Sequence, residues 1–273
     1  MKFVRFDDDG RAAVGILDEG GRVLRTGLTD MREVIERDGA VQALSAAEPV
    51  VGARLLSPLE RPGKILCAGI NYVSHKDENP AAVFPSVPFF FSKLPTAVVG
   101  PDDEIVLPEP TSQVDYEVEL AVVVGRRARG LSEEDALRCV FGYTVANDVS
   151  ARDVQFVDNQ ITLGKGFDSF CPLGPAIVPA AELPDPQHVT VASYVNGELR
   201  QHESTSGMLF PVARLLAFAS HHVTLEPGDV ITTGTPAGVG TFRSPPDYLR
   251  PGDVVEVEVD VIGRMRNPVV AGW

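Results

Sequence analysis

Short apolar runs broken by turn-forming clusters dominate the chain, and most of the runs follow the two-residue period of a strand. Near the carboxyl end Val255, Val257, Val259 and Val261 alternate with Glu256, Glu258 and Asp260, the pattern of a half-buried strand. Pro251-Gly252-Asp253 launches it, and Pro227-Gly228-Asp229 launches another over residues 230–233. At the other end the pattern predicts strands over residues 2–6, 12–18 and 22–24, with turns at Asp8-Asp9-Gly10 and Glu19-Gly20-Gly21. Helical periodicity is sparse. Residues 31–37 predict a short helix, and Ser132-Glu133-Glu134-Asp135 is a capping box opening one to about Val140. Pro211 fits the first turn of a third, in which Val212, Leu215, Leu216 and Ala219 fall at i, i+3, i+4 and i+7. The expected class is mainly β with few helices (α+β). The turn-rich stretch Ser57-Pro58-Leu59-Glu60-Arg61-Pro62-Gly63 divides a small β-rich amino-terminal domain, residues 1–60, from a larger one, residues 61–273.

With 273 residues, 44% hydrophobic and 23% charged, the chain has the make-up of an ordinary globular protein with a sizeable core. A net charge of -14 and no lysine or arginine run argue against a nucleic-acid partner. Cys67, Cys139 and Cys171 are odd in number and scattered, which suits buried thiols in a reducing compartment. The first residues lack a secretory apolar region, and no run reaches the ~18 apolar residues of a membrane span, so the expected location is cytoplasmic, away from membranes.

The most informative segment runs from Val114 to Val124. As one strand it puts Glu117 and Glu119 on the same face, with Asp115 behind them, and beyond Glu119 both faces turn apolar. Glu-x-Glu also suits a solvated strand face. A third carboxylate tips the balance: the apolar strand from Phe141 ends at Asn147-Asp148, and a helix is expected behind Ser150, with Asp153 completing a capping box. Asp148 then sits at a strand-to-helix junction. Three carboxylates entering a core without histidine or cysteine form a hard, all-oxygen site for Mg²⁺ or Mn²⁺, with Ca²⁺ a further candidate.

Other residues fit chemistry but also plainer roles. His75 and Glu78 touch if their segment is helical, orienting the imidazole as a base, although a surface histidine with a chance neighbour has the same spacing. The Pro-rich loop with Phe84, Phe89, Phe90 and Phe91 reads as a lid or as core packing. Lys165, between Gly164 and Gly166, is either an aimed cation or part of a surface turn. Arg152 and Gln155 would share the helix face nearest Asp148. Gly234-Thr235-Pro236-Ala237-Gly238-Val239-Gly240 offers backbone N–H groups to a carboxylate. It lacks the Gly-Lys-Ser/Thr of a phosphate loop, and no Gly-x-Gly-x-x-Gly follows a strand, so no nucleotide cofactor is expected.

In order and spacing these segments resemble the fumarylacetoacetate hydrolase family across about residues 64 to 270. The stretches that carry the likeness are Gly69-Ile70-Asn71-Tyr72 with His75 and Glu78, Phe91-Ser92-Lys93, and Asp115-Tyr116-Glu117-Val118-Glu119. Asn147-Asp148-Val149-Ser150-Ala151-Arg152-Asp153 with Gln155, Gly164-Lys165-Gly166-Phe167-Asp168 and the Gly234–Gly240 loop complete it. The resemblance implies a mixed β-roll catalytic domain behind the small amino-terminal domain, and a homodimer. It implies Mg²⁺ or Mn²⁺ on Glu117, Glu119 and Asp148, a water-activating dyad of His75 and Glu78 on a lid, and Lys165 stabilising negative charge. Lys93, Arg152, Gln155 and Thr235 are the implied substrate-binding residues. The family's namesake has a metal-side aspartate upstream of its histidine that Cys67-Ala68-Gly69 lacks, so the likeness is to the smaller bacterial members acting on 2-oxo acids. The expected reaction is hydrolysis of a C–C bond in a 2,4-dioxo acid (an acylpyruvate) through a metal-bound enolate. The alternative is isomerase, decarboxylase or lyase/dehydratase chemistry on a related 2-oxo acid at the same site.

Overall fold

The computed structural model describes residues 1–42, 49–79 and 83–272; residues 80–82 of the aromatic loop lie outside it. The chain opens with β1 (Lys2–Asp8), β2 (Arg11–Leu17), β3 (Val23–Arg25), α1 (Met31–Glu36) and β4 (Leu55–Leu56). Then follow β5 (Ile65–Gly69), α2 (His75–Glu78), β6 (Phe89–Lys93), β7 (Val98–Val99) and β8 (Ile105–Leu107). The middle holds β9 (Val114–Asp115), β10 (Val118–Val124), α3 (Glu133–Ala136), β11 (Val140–Asn147), β12 (Ser150–Ala151), α4 (Arg152–Gln155) and α5 (Ile161–Lys165). The last part holds β13 (Cys171–Pro179), β14 (Thr190–Val195), β15 (Glu198–Ser204), α6 (Val212–His222), β16 (Val230–Thr232), β17 (Val254–Val259) and β18 (Gly263–Ala271).

One sheet runs β3-β2-β1-β13-β11-β10-β16-β5-β6 and another β15-β14-β17-β18-β8. Both are mixed, with parallel steps at β16–β5, β13–β7 and β18–β8. Every residue of β10 and β11 is buried. Alternation sorts β10 between two cores: Leu120, Val122 and Val124 pack with Val191, Val257 and Leu216, while Ala121 and Val123 pack with Phe3, Ile35 and Phe141. The strand is covered on both sides, which is why its sequence is apolar on both faces. The unit expected at residues 1–60 is tied into this sheet: β1 meets β13 at Phe3↔Ile177, and Phe3, Val14 and Met31 share a core with Cys67 and Leu173.

Three local expectations are corrected. The single strand over residues 114–124 is two pieces, because side chains capture the backbone donors where it breaks. Asp115 Oδ1 accepts from Tyr116 N at 2.9 Å, Asn147 Oδ1 from Glu117 N at 3.0 Å and Gln201 Oε1 from Val118 N at 3.1 Å. Ser150 and Asp153 form no capping box: the Ser150 hydroxyl donates to Asp148 O at 2.8 Å, and Asp153 accepts from the Thr111 hydroxyl and Ser112 N. Val261 leaves the alternation, standing exposed in the turn after β17 with a φ of 71°. The helices hold more closely, with Ser132 capping α3 through Asp135 N at 3.2 Å and Val212, Leu215, Leu216 and Ala219 buried along α6.

Candidate active site

Antiparallel pairing of β10 with β11 places Glu119 opposite Ala146 and Val118 opposite Asn147, and Asp148 N donates to Glu117 O at 2.8 Å. The end of one strand is thereby fixed against the start of the other. Glu117, Glu119 and Asp148 converge, each offering a carboxylate oxygen within 4.8 Å of the others, and all three are buried.

Three buried cations share this cluster. Arg152 sends Nε and Nη2 to Asp115 Oδ2 at 3.0 and 2.9 Å, and Nη2 also reaches Glu117 Oε1 at 2.7 Å. Lys165 Nζ bridges Glu117 Oε2 at 2.9 Å and Asp148 Oδ2 at 2.6 Å, standing 4.8 Å above the centre of the Phe91 ring. Lys93 Nζ holds Asp148 Oδ1 at 2.6 Å and Val149 O at 3.0 Å. Burial alone would raise the Glu117 carboxyl, but Lys165 and Arg152 outweigh it and hold it at about 2. Glu119 has no cation partner among the described residues. Gly234 N donates to its Oε2 at 2.6 Å, and burial, then the charges of Asp148 and Glu117, push its carboxyl well above the ordinary range.

Four carboxylates thus face three cations, and the uncompensated charge falls on Glu119. That is the donor set and charge a divalent cation fits. Oxygens bonded to one Mg²⁺ at about 2.1 Å are at most about 4.2 Å apart, and at Ca²⁺ distances of about 2.6 Å at most about 5.2 Å, so oxygens spread over up to 4.8 Å would draw together on the smaller ion.

Across a cavity of about 180 Å³ from the carboxylates stands α2. His75 Nδ1 lies 2.7 Å from Glu78 Oε1, Glu78 Oε2 accepts from Gly238 N at 2.6 Å, and the imidazole meets Phe242 edge-on at 5.5 Å between ring centres. At about 30 Å³ per liquid water, the cavity holds the equivalent of six waters, the size of a small organic acid. Its polar wall includes Glu117, Glu119, Arg152, Lys165 and Thr235, and its apolar wall includes Ile70, Phe89, Phe91, Phe156 and Ile161.

The remaining sequence-expected residues are placed as follows. Lys165 is not in a surface turn but ends α5, buried among carboxylates. Gly164 permits this, because a Cβ there would lie 2.7 Å from the Gln155 backbone. Gln155 lines the cavity and accepts from Arg152 Nη1 at 3.1 Å. Thr235 lines it too, with its hydroxyl committed to Val118 O at 2.9 Å and Gln201 Nε2 at 2.7 Å. Lys93 is brought under Asp148, its side chain fully buried, rather than to the cavity wall. The Gly234–Gly240 loop does present N–H groups to carboxylates, but to the protein's own: Glu119, Glu78 and, through Gly240 N at 2.7 Å, Asp115. Two contributors were missed. Gln201 ties β15 to the break before β10, and Asn71 ties the turn after β5 to Thr233 O and Phe210. Asn71 stood in the Gly69-Ile70-Asn71-Tyr72 stretch that carries the family likeness but with no role attached to it, and Gln201 carried no signal among its polar neighbours Arg200, His202 and Glu203.

The sequence profile described as "Fumarylacetoacetate (FAA) hydrolase C-terminal" matches residues 64–270. The chain is 44% identical over 289 residues to a Xenopus laevis protein named "Oxaloacetate tautomerase fahd2, mitochondrial", spanning 99% of this chain and 90% of that one. Among solved structures, a fumarylacetoacetate hydrolase from psychrophilic Exiguobacterium antarcticum superposes with a TM-score of 0.90 at 42% identity, over 100% of each chain. A maleylpyruvate hydrolase from Sphingobium sp. SYK-6, in complex with manganese(II) ion and pyruvate, gives 0.81 at 29% identity, again over 100% of each. Among the described residues no helix is long and apolar enough to cross a membrane.

Proposed function

The chain belongs to the fumarylacetoacetate hydrolase family, and from that premise we propose that it tautomerises a small dicarboxylic 2-oxo acid of the oxaloacetate class, using Mg²⁺ or Mn²⁺. The observation that carries the reading is the pairing, across one small cavity, of a buried carboxylate triad with an imidazole–carboxylate dyad. The named activity of the Xenopus laevis relative selects proton transfer from the chemistries such a site allows.

Glu117, Glu119 and Asp148 would hold the ion, which when bound supplies Lewis-acid polarisation to a chelating 2-oxo acid. A divalent charge turns the cluster's net of minus one into plus one, the sign an anionic substrate needs. In ketonisation one proton leaves the enol oxygen and one reaches the neighbouring carbon. With Glu78 against Nδ1, the free Nε2 of His75 is the group to exchange that proton. Lys165 holds Glu117 and Asp148 in place, and with Arg152 it keeps the Glu117 carboxyl low, so their effect on the substrate passes through the cluster. Phe89, Phe91, Phe156 and Phe242 line the same cavity and lower its polarity beside those charges.

Hydrolysis of an acylpyruvate is the second reading, favoured by one observation: a dyad that moves a proton also activates water, and the Sphingobium hydrolase shares the fold. The test follows enol absorbance of oxaloacetate with Mg²⁺ or Mn²⁺ and, in parallel, pyruvate release from acylpyruvates. Ketonisation lost both on chelation and in His75→Ala supports the proposal. Faster release of two carbon fragments reassigns the site to hydrolysis, and no turnover of either substrate class removes the reading.

A further inference from the structure

α2 is four residues long, far too short to hold its own conformation, yet it carries both members of the dyad. Its preceding serine does not cap it: Ser74 makes no side-chain bond to the helix. Its hydroxyl instead donates to Glu203 Oε2 at the end of β15 and accepts from Ala237 N at 3.3 Å. Val73 N donates to Gly207 O at 3.1 Å, just beyond Glu203. Gly207 completes the arrangement. Its φ lies outside the left-handed region, so the backbone does not require glycine. A Cβ there would stand 2.1 Å from Glu203 Oε1, so the missing side chain makes the room the carboxylate occupies.

We infer that Glu203, seated over Gly207, is a positioning residue that latches the start of α2 through Ser74 and so fixes His75 at the cavity. The latch works with the Gly238–Glu78 bond at the other end of the helix, and the two pin α2 at both ends. Glu203 does not line the cavity, so its effect on a reaction passes through the histidine. The inference rests on the proton-transfer reading of His75 only for its kinetic consequence; the latch itself is a property of the ligand-free protein.

Three variants test it. Glu203→Ala removes the acceptor, Gly207→Ala evicts the carboxylate, and Glu203→Gln keeps an acceptor for Ser74. A lost hydrogen bond to a charged group corresponds to about tenfold or more in the open population of α2. Hydrogen exchange of residues 73–79 in the ligand-free protein should therefore quicken about tenfold in the two alanine variants, with the double variant no worse than either, and stay near the original rate in the glutamine variant. On oxaloacetate, any loss in the alanine variants should fall on kcat, with KM within about twofold and Glu203→Gln near the original. Unchanged exchange in both alanine variants overturns the latch, as does a slowed Glu203→Ala beside a normal Gly207→Ala. Faster exchange in a protein that turns over no 2-oxo acid upholds the latch and removes the proton-transfer reading instead.

Discussion

Glu119→Gln isolates the buried carboxylate that lacks a cation partner. Glutamine keeps the shape and an acceptor for Gly234 N, 2.6 Å away, and deletes only the charge. An uncompensated buried charge costs several kcal/mol, and the carboxyl avoids part of that by taking a proton, at about 1.36 kcal/mol per pKa unit. Removing the need for either should stabilise the chelator-treated protein by about 1–3 kcal/mol at pH 8, or about 2–6 °C in Tm for a chain of this size. The pH dependence has a definite sign. A carboxyl raised in the folded state contributes stability below its ordinary value of 4.5 and loses it as pH climbs through the folded value. The unaltered protein should therefore weaken relative to the variant from about pH 4.5 upward. Saturating Mg²⁺ or Mn²⁺ should close or reverse the gap, adding about 2.7 kcal/mol to the unaltered protein at a hundred times Kd and little to the variant. Thermal unfolding in chelator and in metal, at pH 5 and pH 8, reads all of this. A variant less stable in chelator, or one gaining as much from metal, refutes the reasoning.

Arg152→Ala strips Asp115 and Glu117 of a shared guanidinium and should cost about 3–5 kcal/mol in urea unfolding, with Arg152→Lys recovering little because lysine lacks the fork; a loss under about 1 kcal/mol contradicts this. Gly164→Ala drives a methyl into the Gln155 backbone at 2.7 Å and should lower kcat/KM more than about tenfold by parting α4 from α5, with circular dichroism unchanged. An unimpaired variant shows that this contact does not set the position of Lys165. Cys67, Cys139 and Cys171 are buried, and burial pushes Cys139 to about 11 and Cys171 to about 12. No thiol should react with a disulfide reagent at pH 8 until urea is added.

Local spacing made much of the site legible. His75 and Glu78 need only one helical turn to meet, and Glu117 with Glu119 needs only the sense of the chain around β10. Asp148 was legible because an apolar strand stops at it. What the sequence hid depends on partners far along the chain. The break after Asp115 needs Asn147 and Gln201, and a strand pattern cannot announce an acceptor arriving from β15. The capping box behind Ser150 failed for the same reason, since Thr111 and Ser112 compete for Asp153. Lys165 read equally well as a surface turn, because only the fold brings Glu117 and Asp148 to its ammonium.

Crystals soaked with Mn²⁺ and oxalate offer the most direct check of a metal-centred site. Anomalous scattering should show one strong manganese peak bounded by oxygens of Glu117, Glu119 and Asp148, with oxalate completing its coordination inside the cavity beside His75. A peak elsewhere, or none at millimolar Mn²⁺, contradicts the account.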